Sequence, residues 1–201
     1  MAKINGFKSE ARNEGYPMLP AGAYVASIKN AKIDGSGHDQ QIVLRLDITE
    51  GEYAGYYTKR FNHDNENGGK YQAKYKGDLK IQIPDEANTK RQHPEWDLKT
   101  LNTSIWAIER SNPGFTWDGD TDSIGTFKGK TVGINVREGS FNGIPYTVIG
   151  RLEVADDVRN GMVKPMKPMK PRTDGSAQSA PAAPTDPQSG FTMVEPDEIP
   201  F

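Results

Sequence analysis

QQIVLRLDITEGEYAGYYTKRF, residues 40–61, decides how this chain is read. Its first half alternates. Ile42, Leu44, Leu46 and Ile48 point one way and Arg45, Asp47 and Thr49 the other, the pattern of a half-buried strand. GEYAG turns the chain, and YYTKRF, residues 56–61, then reads as another strand. Alternation sends Tyr56 and Tyr57 to opposite faces, with Phe61 on the side of Tyr57.

Working outward, AYVASIKNAKI is a strand with Tyr24, Ala26 and Ile28 on one face, and DGSGHD is the turn that follows it. Further on, KTVGINVRE places Val132, Ile134 and Val136 inward, and FNG makes a hairpin turn into IPYTVIGRLEVA. Between the two groups lies a long interruption. DLKTLNTSIWAIERSNPG repeats Leu98, Leu101, Ile105 and Ile108 at helical spacing and stops at Asn112-Pro113-Gly114. KYQAKYKGDLKIQIP favours neither period, with Gly77 in mid-pattern. Three strands, a helix and two strands is the element order of an OB-fold. The expected fold is mainly β: a five-stranded OB-fold-like barrel, a helix-containing insertion between strands 3 and 4, and a disordered C-terminal tail.

Composition divides the chain into a polar lead-in (1–20), a body (21–160), a Pro/Ser/Ala-rich linker (161–194) and an acidic tip (195–201). The linker cannot bury enough surface to offset its ordering entropy. All 25 Lys and Arg lie at or before Arg172, against 22 of the 27 acidic residues. The first 172 residues therefore carry +3, and the five remaining acids give the tail −5. A basic body on an acidic tail suggests a polyanion and a second, basic partner. There is no cysteine, the first residues contain no apolar signal region, and no run reaches membrane-span length, so a cytoplasmic protein is expected.

Catalytic and metal readings fare poorly. Asp118, Asp120 and Asp122 have calcium-loop spacing, but Ser123 and Gly129 stand where that loop needs Gly and Glu. His38, His63 and His93 are far apart, and neither a nucleophile elbow nor a P-loop is present. No enzyme, cofactor or metal is expected. The aromatic residues are more informative. Tyr53, Tyr56, Lys59 and Arg60 interleave rings with cations, as do Tyr71, Lys74, Tyr75 and Lys76, and Phe141 and Tyr146 flank the last hairpin. Rings beside cations suit stacking on bases and pairing with phosphates of single-stranded nucleic acid. Trp96 and Trp106 are read as packing residues.

PDEIPF, residues 196–201, resembles the acidic tip of bacterial single-stranded DNA-binding proteins. The body resembles phage and prophage proteins of that kind through EGEYAGYYTKRF and IERSNPGFTWD. The resemblance implies a protein that coats single-stranded DNA in phage replication, recombination and repair inside a bacterial host. It also implies that Asp197, Glu198, Ile199, Pro200 and Phe201 recruit DNA-processing enzymes. A recruitment adaptor whose body binds protein and a strand-annealing accessory are the alternatives, and homo-oligomerisation is open.

Overall fold

Asp47 is where the observed fold leaves the alternating pattern. The computed structural model describes residues 15–67, 72–85, 87–88 and 93–173. In it Asp47 occupies an outward-pointing position of β2 (Gln41–Ile48), yet it is only 3% exposed. Its Oδ1 accepts the backbone N–H groups of Ile48 and Tyr57 at 3.0 Å each, and its Oδ2 accepts the Thr58 hydroxyl. A carboxylate set against the start of a segment satisfies N–H groups that a helix leaves open, and it complements the helix dipole. The expected third strand is therefore a helix, α1 (Tyr56–Asn67). Neighbours on a helix lie about 100° apart rather than on opposite faces, so Tyr56 and Tyr57 are both buried.

Five strands remain among the described residues: β1 (Gly22–Asp34), β2, β3 (Asp78–Gln82), β4 (Thr131–Phe141) and β5 (Ile144–Glu153). They form one antiparallel sheet in the order β3-β2-β1-β4-β5. β3 emerges from the stretch that favoured neither period and is only five residues long. The two edges, β3 and β5, share no ladder. The expected OB-fold barrel is thus corrected to a mixed α/β fold with an unclosed sheet. The edges approach each other without pairing, and α2 (Pro94–Ser111) packs across β3, β4 and β5.

The inward set of β2 is as expected, with Ile42, Leu44, Leu46 and Ile48 buried; on the other face Arg45 and Thr49 are exposed but Val43 is buried with Asp47. The inward set meets Ile134 and Val136 of β4, Ile105 and Ile108 of α2, and Phe127 at the end of a 3-10 helix (Thr121–Phe127). Each such side chain, fully buried, contributes about 1.5–3 kcal/mol. Pro at the first turn and Glu95 and Asp97 behind it suit the start of α2. At its end the Asn112 side chain donates to Ile108 O and Thr131 O at 2.7 Å and accepts Thr131 N–H at 3.0 Å, which ties the helix to β4.

Asn142 and Gly143, at φ 50° and 79°, form the tight turn between β4 and β5 that FNG foretold. A short helix, α3 (Ala155–Arg159), follows β5 and packs over Gly133, where a Cβ would come within 2.6 Å of Val158. Of the stretch read as linker, residues 169–172 run beside β4, with Met169 N–H on Glu138 O and Arg172 N–H on Ser140 O. Residues 174–201, including the acidic tip, lie outside the described residues. No helix among the described residues is long and apolar enough to cross a membrane.

Candidate functional site

Of the rings expected to stack on bases, Tyr53 and Tyr56 lie in a chain of ring contacts with Tyr24 and Tyr57. Tyr53 meets Tyr24 edge-on at 5.7 Å and Tyr56 at 6.5 Å, and Tyr56 meets Tyr57 at 5.3 Å. Tyr56 is 5% exposed; its hydroxyl donates to Pro17 O at 2.7 Å and accepts Leu19 N–H at 2.9 Å. Tyr75 is half-buried, donates to Leu46 O at 3.0 Å and lies under the Arg45 guanidinium. Burial pushes its phenol up to about 12.

The neighbouring cations are also engaged. Lys59 Nζ donates to Ala54 O at 2.8 Å, and Arg60 reaches the Tyr56 hydroxyl and Asp64. Lys74 and Lys76 are exposed, and Tyr71 lies outside the described residues. Phe141 is exposed and Tyr146 half-buried over Gly139. Tyr146, on β5, pairs with Gly139 of the same hairpin, and Phe141 ends β4 five residues beyond the last β1 pair, Gly22 with Val136. That separation is about 16 Å of strand, so the structure does not join them to the tyrosine chain.

The open surface is on α2. Trp106, read as packing, is 58% exposed, and Trp96 is 62% exposed and stacks on His93 at 4.0 Å. Leu101, Ile105 and Ile108 turn toward the body, and Trp106 stands on the ridge beside them. On one side of that ridge is a groove of about 490 Å³. Its walls are Ile83 and Pro84, Leu101, Ile105 and Trp106, and Trp117. Trp117 is fixed in place: its indole N–H faces Asp120 O and Ser123 Oγ at 3.0 and 2.9 Å, and its ring meets Phe127 edge-on at 5.3 Å. Its backbone N–H donates to Glu109 Oε1 at 2.9 Å.

Glu109 and Asp118 rim this groove, and Asp120 and Asp122 follow in the next turn. None of the four forms an ion pair among the described residues. A legible signal for Trp106 did exist. Trp96, Lys99, Thr103, Trp106 and Arg110 recur at spacings of three and four on the face opposite the apolar stripe.

A scan against protein-family models and a search of curated proteins each find no match for this chain. The expectation of a phage-type single-stranded DNA-binding protein is corrected accordingly. Its barrel is absent, no relative supports it, and its best stacking candidate, Tyr56, is a core residue.

Proposed function

We infer that the chain is a non-catalytic protein-docking module that holds a short partner segment against α2. The observation that carries this reading is Trp106, 58% exposed beside an apolar groove with a fixed tryptophan as its far wall. A large ring left in water beside apolar walls gains energy when a partner covers it, and tryptophan dominates such contacts. Glu109 and Asp118 on the rim, with Asp120 and Asp122 beyond it, form no ion pair among the described residues and select the occupant: an apolar segment flanked by Lys or Arg.

The non-catalytic part of the reading rests on how the polar groups are used. Asp47 holds α1, Ser104 donates to Thr100 O, and Asn88 donates to His38 O. His38, His63 and His93 lie at separate places, beside Asp85, Asp64 and Glu95 respectively. No cluster of three or more potential ligands fit for a metal ion occurs among the described residues. A cytoplasmic setting belongs to the same reading.

Selection of random peptides of about twelve residues on the immobilised full chain tests it. Enriched peptides should join a bulky apolar residue to Lys or Arg. Trp106→Ala should weaken a synthesised winner about tenfold or more, with the melting temperature unchanged because the ring is exposed. A winner whose affinity ignores Trp106→Ala, or no enrichment at all, would contradict the reading.

A further inference from the structure

Arg137, on β4, carries a buried Nε–H with no acceptor among the described residues. Such a donor costs stability unless something occupies it, and unpaired cases in folded proteins call for a reason. Arg137 lines a second groove, about 660 Å³, on the other side of the Trp106 ridge between β3, α2 and β5. Lys80, Lys99 and Arg151 also line it, against the acids Glu153 and Asp157. Glu153 is already held by Arg151 and by the Asn135 amide at 3.1 Å, and Lys80 reaches Asp34 at 3.9 Å. Lys99 and Arg137 have no carboxylate partner among the described residues. The floor between the cations is apolar, made by Leu79, Ile81, Leu152 and Met166.

We propose that this groove binds an acidic peptide segment of a partner protein, with a side-chain carboxylate paired to Arg137. Cations separated by apolar floor suit a chain that alternates carboxylates with aliphatic side chains, and the groove carries a surplus of positive charge to draw it in. A carboxylate takes two parallel N–H bonds from a guanidinium, so its arrival supplies the acceptor that Nε lacks. The Met166 side chain, whose sulfur lies 2.5 Å from where a Gly150 Cβ would stand, covers this corner, and a rotamer change opens it. Gly150 is thus needed for Met166 to sit there at all.

The test uses the full chain and two blocked octapeptides, one alternating Glu with Leu and one alternating Gln with Leu, titrated calorimetrically at low and high salt. The Glu peptide should bind about tenfold or more tightly than the Gln peptide, and its affinity should fall with salt. Arg137→Gln should remove that preference, and Arg137→Lys should keep part of it. Arg137→Met should abolish binding and also raise the melting temperature, because it deletes an unsatisfied donor. That pair of effects would not arise from a purely structural arginine. Equal affinity for the two peptides, or a Glu peptide indifferent to Arg137→Gln, would overturn the proposal. So would inorganic phosphate displacing the Glu peptide at equal concentration, which would make this a simple anion site. Tighter binding after Asp197→Asn and Glu198→Gln would overturn it too, in favour of the chain's own acidic tip as occupant.

Discussion

The Asp47 carboxylate on β2 accepts the backbone N–H of Tyr57 at 3.0 Å, across ten residues of chain. That bond fixes where α1 begins and, with it, the character of the sheet. Replacing Asp47 by Ala leaves the buried Tyr57 N–H without its acceptor. It also removes the partner of the Thr58 hydroxyl, which water can replace because Thr58 is exposed. The expected loss is about 2–4 kcal/mol in urea unfolding. Asp47→Asn retains one acceptor oxygen and should lose less. Equal stability of Asp47→Ala and the parent would remove Asp47 as the anchor of α1.

Tyr56 ties the lead-in to the body through its hydroxyl, which contacts Pro17 O and Leu19 N–H. Tyr56→Phe keeps the packing and deletes both bonds, at a cost of about 1–2 kcal/mol. Amide exchange should quicken at Leu19 and not at Ile134. Unchanged exchange at Leu19 would mean that the lead-in is held by other contacts.

Gly77 allows β2, α1 and the Tyr75 ring to meet. A Cβ there would stand 2.4 Å from Leu46 O, 2.7 Å from the Tyr57 ring and 2.8 Å from the Tyr75 ring. Backbone and two packed rings cannot all give way, so Gly77→Ala should cost about 3 kcal/mol or more. Its melting temperature checks this.

What could be read from sequence alone was local. The inward set of β2, the stripe of α2 and the Asn142-Gly143 turn each lie within a few residues, and the structure has all three, save that Leu98 at the start of the stripe is 48% exposed. YYTKRF misled because its helical state is imposed by Asp47, ten residues earlier, while its own aromatic content suits a strand. β3 has only Leu79 and Ile81 to alternate, too short a run for a period to show. The basic-aromatic pattern misled for a related reason. Tyr53 packs on Tyr24 and Tyr56, Tyr56 bonds Pro17 O and Tyr75 bonds Leu46 O, and composition does not say which way a ring faces. Trp106 is off the α2 stripe, so its exposure was within reach of a helical projection.

Burial raises the phenols of Tyr75, Tyr57 and Tyr24, foremost by desolvation. A raised value means that the unfolded chain ionises first, at its ordinary value near 10. The Tyr75 contribution should therefore be fully present below pH 10 and be lost as the pH rises toward about 12. Tyr75→Phe should flatten that part of the stability curve. Ultraviolet titration of the parent should show one more late-ionising group than this variant, which keeps Tyr57 and Tyr24; the same number of late-ionising groups in both proteins would be the contrary result.

The docking claim is tested most directly by the three tryptophan indole N–H signals of the ¹⁵N-labelled full chain during titration with a selected apolar-basic peptide. Trp106 and Trp117 should shift together with the Ile83 and Ile105 amides, because they wall the same groove, while Trp96 at the start of α2 should stay in place. A silent Trp106, with shifts confined to residues away from α2, would contradict the account.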